Sequence, residues 1–212
     1  MSDINAVNEQ FNKELQWQIE GRLPKNHVYR LGMPNSILQA AGVTNLPIEM
    51  RAIDLALKSS MSYQKHPFNI LDIKNLPIAI TKPIGIFDST KKDGAKVLFT
   101  EIKDKQNYNY TVILRVITID RRLQVEVNSI RSLYPKDNTD GVLDWINSSD
   151  KLLRWVDKEK AFGWIRKLPP CVADVANTTK RNFATKIIQN FQNPTFDVQK
   201  NINKVTHKGP KL

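Results

Sequence analysis

The amino-acid sequence predicts an α+β fold in which N-terminal helices pack on a mostly antiparallel sheet of about four to six strands. Two observations carry this prediction. Apolar residues recur at helical spacing over the first eighty positions, whereas β-branched and aromatic runs separated by turn residues fill the stretch from Pro83 to Tyr134. Runs joined by short connections favour antiparallel hairpins, and helices segregated from such a sheet are typical of α+β domains.

Four helices are predicted before the sheet. The first ends at Gly21, and its apolar stripe recurs every three or four residues: Ile4, Val7, Phe11, Leu15 and Ile19. The helix starting at Ala52 is expected to turn Ile53, Ala56 and Leu57 inward. The predicted helical ranges are 3–20, 34–41, 52–60 and 71–80, with an extended piece at 46–50.

The sheet is predicted from apolar runs bounded by turn residues. Its strands are expected at 84–87, 96–102, 108–119, 123–134 and 152–156, with helices at 139–148 and 158–165. Leu168-Pro169-Pro170 then breaks the pattern. We therefore divide the chain into a domain over 1–165 and an added part over 166–212, which comprises an amphipathic helix at 172–191 and a basic, unpatterned tail.

The chain is strongly basic. It has 32 Lys and Arg against 21 Asp and Glu, a net charge of +11. This excess favours a polyanionic partner: nucleic acid, an anionic membrane or an acidic protein. Residues 166–212 hold nine basic and two acidic side chains, whereas residues 1–50 hold four and five. The C-terminal part is either a solvated tail or an arm that binds phosphates.

Several classes of protein are disfavoured by absent motifs. The sequence has no phosphate-binding loop, dinucleotide fingerprint, zincin helix, nucleophile elbow or CxxC pair. One cysteine and three histidines predict neither a disulfide framework nor a histidine-rich metal centre, so no metal or cofactor is expected. No apolar run is long enough for a membrane span, the acidic N-terminus is unlike a secretory signal, and a cytoplasmic location is expected.

A looser polar set suits phosphodiester chemistry. Lys58 ends the third predicted helix, and His66 follows it in the chain. Ser132 and Tyr134 share one face of a predicted strand, because side chains alternate, and Arg131 points the other way. A histidine can accept the proton of a 2′-hydroxyl, and a lysine can stabilise charge on phosphoryl oxygens. Each position also has a structural interpretation: helix-dipole compensation, helix capping or ordinary strand packing.

A series of short motifs runs in order between Leu31 and Ile165. The motifs are Leu31-Gly32-Met33-Pro34, Leu38-Gln39-Ala40-Ala41-Gly42, Asn45-Leu46-Pro47-Ile48, Leu57-Lys58, His66, Asn75-Leu76-Pro77, Lys82-Pro83-Ile84, Val97-Leu98-Phe99-Thr100-Glu101, Val127-Asn128-Ser129-Ile130, Ser132-Leu133-Tyr134, Trp145-Ile146 and Asp157-Lys158-Glu159-Lys160-Ala161. In their order and spacing they resemble the phage MuF C-terminal domain family. Two departures are Pro135, where a glycine is expected, and a 105–108 turn without glycine.

The resemblance implies the small ribonuclease fold of barnase, EndoU, colicin-type tRNases and RelE toxins. It further implies metal-independent RNA cleavage by 2′-hydroxyl attack, which leaves a 2′,3′-cyclic phosphate. Lys58, His66, Ser132 and Tyr134 match recurrent polar positions of the family, so we expect them to form the catalytic site. A toxin-like ribonuclease is one interpretation. The other is a catalytically inactive phage-derived protein of the same fold that binds nucleic acid or a partner, and an acidic immunity or regulatory protein is a candidate partner.

Several further residues are expected to contact nucleic acid. Arg115 either binds phosphate or pairs with Glu101 or Glu126 across strands. Trp17 lies off the main stripe of the first helix, so it is either a contact residue or, as is more common, a packed indole. The predicted nucleic-acid-binding set is Arg115, Arg131, Lys136, Asn138, Lys180, Arg181 and Lys186.

Overall fold

A computed structural model describes residues 3–59, 68–90, 94–120, 125–136 and 153–167. Within these ranges the chain forms five α-helices, one 3₁₀ turn and seven strands. The helices are α1 (Ile4–Ile19), α2 (Ser36–Ala40), α3 (Ala52–Ser59), α4 (Leu76–Thr81) and α5 (Lys158–Ile165), and the 3₁₀ turn is Ile70–Ile73. The strands are β1 (Val28–Arg30), β2 (Ile48–Arg51), β3 (Gly85–Asp88), β4 (Ala95–Lys103), β5 (Asn109–Asp120), β6 (Val125–Pro135) and β7 (Leu153–Val156).

All seven strands belong to one sheet, in the order β1-β2-β6-β5-β4-β3-β7. The pairing of β2 with β6 is parallel and the other five pairings are antiparallel. The α+β prediction is therefore confirmed, with one strand more than the upper expectation. The additional strand is β1, whose three residues are too few to show an alternating pattern. The helices predicted at 139–148 and 172–191 lie outside the described residues.

Apolar residues cover both faces of the sheet. One face carries Leu98, Val112 and Leu133 and packs beneath the N-terminal helices, which contribute Phe11 and Leu15. Because side chains alternate along a strand, the neighbouring positions of β3 and β4 point to the opposite face. There α5 covers a second, smaller core composed of Ile84, Phe87, Val97, Phe99, Leu153, Ala161 and Ile165.

Helix α3 is rotated relative to the prediction. It buries Ala52 and Leu55, and leaves Ile53 and Leu57 44% and 46% exposed. The eight-residue helix has two apolar stripes, so its spacing alone could not decide which one faces the core. The rotation also sets the direction of Lys58. This residue lies three positions after Leu55 and is therefore on nearly the same side of the helix.

Asn128 of β6 anchors the loop that follows α2. Its side chain is fully buried, and its Nδ2 donates to the carbonyl oxygens of Thr44 and Leu46, both at 2.8 Å. Its Oδ1 accepts from the Thr44 hydroxyl at 2.8 Å and from the backbone N–H of Ile117 at 3.4 Å. Ile117 has a φ of +54° at a register shift of β5, so Asn128 also braces an irregular backbone.

The turn between β4 and β5 forms without the glycine that was expected there. Asn107 takes the left-handed conformation, with a φ of +70°. Asparagine tolerates this region better than other non-glycine residues. Asp104 completes the turn, because its side chain accepts from the backbone N–H groups of Gln106 and Tyr108 at 2.9 and 2.8 Å.

Two buried tyrosines predict loss of stability at alkaline pH. Burial and the charge of Glu14 raise the pKa of Tyr29, and burial and the charge of Asp72 raise that of Tyr110. Their stabilising effect is complete below pH about 10, where unfolded tyrosine ionises, and is lost as the pH rises further, because the unfolded chain then releases protons that the folded chain retains. Tyrosinate absorbance should therefore rise together with loss of circular dichroism. Tyr110→Phe should flatten this pH dependence, and an unchanged profile would contradict the assignment.

Candidate functional site

The structure brings together two of the predicted catalytic residues, which are 74 positions apart. The Lys58 ammonium donates a hydrogen bond to the Ser132 hydroxyl, with 3.2 Å between Nζ and Oγ. Both side chains are half-buried. A lysine fixed against a hydroxyl at a partly exposed position can hold a phosphoryl oxygen between a positive charge and a second hydrogen-bond donor.

The topology of the sheet explains this contact. In the described part, β2 pairs with β6 at two positions, Ile48 with Asn128 and Glu49 with Ser129. Helix α3 starts directly after β2 and continues alongside the next residues of β6. Ser132 lies three residues after Ser129, on the part of β6 that β2 has left, so the end of α3 reaches it.

Tyr134 is on the same face of β6 as Ser132, as predicted. Leu133 between them is buried in the main core, so its two neighbours point to the opposite face. Across the ladder to β5, Ser132 pairs with Ile113 and Tyr134 pairs with Thr111. Tyr134 is half-buried, and two strand positions place it roughly 7 Å from Ser132. This is close enough for both hydroxyls to face one phosphodiester.

Arg115 lies on this face too. Its cross-strand neighbours are Ala95 on β4 and Ser129 on β6. Glu101, one of its candidate partners, is instead paired with Lys160 at 2.5 Å. Within the described residues Arg115 is exposed and forms no ion pair, so the structure shows no pairing with Glu101 or Glu126.

Sequence reasoning missed one charged residue of the same face. Glu49 pairs with Ser129 on one side and with Arg30 on the other, so the three residues share a row that continues to Arg115. Glu49 is only 7% exposed. A carboxylate at such a position is uncommon, because burying a charge is costly. The apolar neighbours Ile48 and Met50 showed a strand, but nothing in the sequence showed which face would be polar.

The remaining predicted residues fall into two groups. Arg131 is exposed and is the residue left unpaired where the register between β5 and β6 shifts, so it projects from an irregular point of the strand. Lys136 is half-buried, and its backbone N–H donates to the carbonyl oxygen of Asn109 at 2.9 Å. The others lie outside the described residues: His66, Asn138, Lys180, Arg181 and Lys186.

Some basic side chains elsewhere on the described surface are paired with a carboxylate. Lys96 donates to Asp88 at 2.6 Å, and Arg154 contacts the same carboxylate. Burial alone would raise the pKa of Asp88, but the hydrogen bonds from Arg154 and Lys96 outweigh burial and hold it below its usual value. Arg115 and Arg131, in contrast, have no carboxylate partner among residues that the structure describes. Two exposed cations without a carboxylate partner in the described ranges therefore lie on the strands that carry Ser132 or pair with it.

A known protein family matches the segment that holds Lys58 and Ser132. Residues 58–162 match the phage MuF C-terminal domain family. The matched segment begins at Lys58 itself and includes Ser132, Tyr134 and Arg115. The match supports the resemblance drawn from the sequence motifs and relates this MuF-like segment to a phage-derived family. The chain has no match among the curated proteins or the solved structures.

Within residues 3–59, 68–90, 94–120, 125–136 and 153–167, no group of three or more His, Cys, Asp or Glu side chains is arranged to hold a metal ion. Over the same ranges, every helix is too short or too polar to cross a bilayer.

Proposed function

We propose that the protein is a metal-independent endoribonuclease that cleaves RNA by attack of the 2′-hydroxyl on the neighbouring phosphate. The observation that carries this proposal is the 3.2 Å contact between Lys58 and Ser132, on the sheet face that also carries Tyr134, Arg115 and the second core. The family match supports it because the matched segment spans these four residues. The nuclease activity itself is inferred from chemistry and from the resemblance.

The proposed reaction is a transesterification. The ribose O2′ forms a bond to phosphorus while the bond from phosphorus to O5′ breaks, which leaves a 2′,3′-cyclic phosphate and a 5′-hydroxyl. His66 accepts the proton from O2′, and the departing O5′ takes up a proton from water. Lys58 stabilises the charge that grows on the non-bridging oxygens, and Ser132 and Tyr134 donate hydrogen bonds to the same oxygens. Arg115 holds an adjacent phosphate.

Cleavage of total RNA in the presence of a chelator tests this proposal. The wild-type protein should shorten the RNA, and His66→Ala should leave it intact. His27→Gln is the matched control, because His27 lies before β1 and pairs with Glu14 at 3.0 Å, so it should cleave like the wild type. If wild-type protein and both variants leave the RNA equally intact, the activity is absent for these substrates.

Replacement of Ser132 by alanine removes the hydroxyl that accepts a hydrogen bond from Lys58. Removal of a hydrogen bond to a charged group is worth about 1.5–3 kcal/mol, so we expect cleavage to slow by about 10–150-fold. Because Ser132 is half-buried on the polar face, the melting temperature should change little. Ser132→Thr, which keeps the hydroxyl, should recover part of the rate. Equal rates for Ser132→Ala and the wild type would remove Ser132 from the site.

A second function, binding without catalysis, is supported by the unpaired cations. Arg115 and Arg131 are exposed and lack carboxylate partners within the described ranges. A catalytically inactive nucleic-acid-binding protein would need these charges but neither His66 nor Lys58 as reactive groups. It would bind RNA with an affinity that falls steeply with salt concentration, and His66→Ala would not alter that affinity. Binding with this pattern and without cleavage would favour the second function.

A further inference from the structure

The structure gathers basic side chains near the end of α1 that looked unremarkable in the sequence. Residues 1–50 have a net charge of −1, yet their four basic side chains are all exposed and lie in the second half of α1, the following loop and β1. Lys13 and Arg22 lie against the indole of Trp17, and Lys25 follows three residues after Arg22 in the sequence. We name Lys13, Trp17, Arg22 and Lys25 the α1-end patch.

Trp17 is the centre of the α1-end patch. The Lys13 ammonium lies 5.0 Å from the centroid of its ring, and the Arg22 guanidinium carbon lies 5.6 Å from it. The backbone N–H of Arg22 also donates to the carbonyl oxygen of Trp17 at 2.8 Å, which holds the loop against the helix. Trp17 is half-buried, so part of its ring remains accessible beside two cationic side chains.

Two carboxylates near the α1-end patch are engaged in ion pairs. Glu14 pairs with His27 at 3.0 Å, and Glu20 pairs with Arg22 at 2.8 Å. Neither Lys13 nor Lys25 has a carboxylate partner among the residues described. Glu20 therefore offsets the charge of Arg22, whereas Lys13 and Lys25 place positive charge without an ion-pair partner near the aromatic ring. That combination binds single-stranded nucleic acid, because a base stacks on the ring while lysine and arginine bind the adjoining phosphates.

The patch and the Lys58 site are connected through α3. Gln18, next to Trp17, donates from Nε2 to the carbonyl oxygen of Ala52 at 3.0 Å. Ala52 begins α3, and Lys58 follows six residues later, which is about 9 Å along a helix. The two sites therefore lie towards opposite ends of one short helix, a separation that a few nucleotides of single strand can span.

We propose that the α1-end patch is a base-stacking subsite for single-stranded RNA, beyond the phosphodiester held at Lys58 and Ser132. This inference rests on the proposed function, since RNA is the substrate proposed there. One base displaces a cationic side chain from the face of Trp17, and Lys13 and Arg22 move onto its phosphates. Duplexes and acidic peptides do not present a free base to the ring, so neither should depend on Trp17 for binding.

Binding of a fluorescent single-stranded 2′-deoxy oligonucleotide tests the subsite, because such a probe has no 2′-hydroxyl with which to be cleaved. Trp17→Ala should weaken binding by about 5–150-fold, and Trp17→Phe should retain most of the affinity. Lys13→Gln should lower the slope of log affinity against log salt by about 0.7, the value for one phosphate contact on a single strand. Lys105→Gln, an exposed lysine in the turn between β4 and β5, is the charge-matched control and should leave the slope unchanged.

The outcomes separate this inference from the proposed function. If the wild type cleaves RNA but Trp17→Ala binds the probe as tightly as the wild type, the subsite is wrong and the ribonuclease proposal stands. If Trp17→Ala weakens binding of duplex DNA as much as that of the single strand, general charge contact replaces stacking and the subsite is again wrong. Both proposals together expect two results. Lys58→Met should lose RNA cleavage, and of these two variants only Trp17→Ala should lose binding of the probe.

Discussion

Replacing Lys58 by methionine is expected to slow RNA cleavage by about 10²–10³-fold, the usual cost of removing one group that stabilises charge in a transition state. Methionine keeps most of the apolar stem, so packing near Leu55 should be preserved. The lost favourable charge at the C-terminal turn of α3 costs only about 0.3–1 kcal/mol of stability. Initial rates on a labelled RNA, with thermal unfolding of the same samples, measure both effects.

A lysine outside the site controls for loss of charge. Lys74 is exposed after the 3₁₀ turn, and Lys74→Met should cleave RNA at the wild-type rate. If Lys58→Met and Lys74→Met are equally active, the contact between Lys58 and Ser132 is only structural. If both are slowed alike, the lysines matter only through overall charge. In either case the proposed site at Lys58 and Ser132 is wrong.

Replacing Asn128 by alanine is expected to cost about 3–5 kcal/mol of unfolding free energy. The change deletes two donors and an acceptor, and it leaves the carbonyl oxygens of Thr44 and Leu46 without the bonds that Asn128 supplied. A buried polar group that loses its partner costs about 1–3 kcal/mol, and losses of this size mark a broken buried network. Urea or thermal unfolding, monitored by circular dichroism, measures the change.

Asn45 provides the matched control, since it lies in the same loop. Its side chain is exposed and takes part in one long contact, 3.5 Å from Gln39. Asn45→Ala should change the unfolding free energy by less than about 0.5 kcal/mol. Stability losses of similar size in the two variants would show that Asn128 does not anchor the loop.

The helices and strands were largely predictable because their patterns are local. The stripe of α1, the capping residue Asn35 of α2 and the alternating runs of β3 to β6 each need only a few neighbouring positions. The orientation of α3 was not predictable in this way. Apolar residues lie on two stripes of α3. Which stripe faces the core depends on the packing around Leu55, and residues distant in the sequence provide that packing.

The site was predictable only in part, for a related reason. Lys58, Ser132 and Tyr134 could be named from chemistry and resemblance, but their convergence depends on the parallel pairing of β2 with β6, which no local pattern shows. Glu49 was missed because its apolar neighbours do not reveal the polar face. The α1-end patch was missed because a charge count along the chain does not show that Lys13 and Arg22 both lie against the Trp17 ring.

The most direct test of the central claim is the chemistry of the RNA ends produced in the presence of a chelator. A site that holds one phosphodiester at Lys58 and Ser132 predicts products with 2′,3′-cyclic phosphate and 5′-hydroxyl ends. A substrate with a single ribonucleotide in a DNA strand should then be cut only at that ribonucleotide. Products with 3′-hydroxyl and 5′-phosphate ends, or an intact substrate after prolonged incubation with folded protein, would contradict the account.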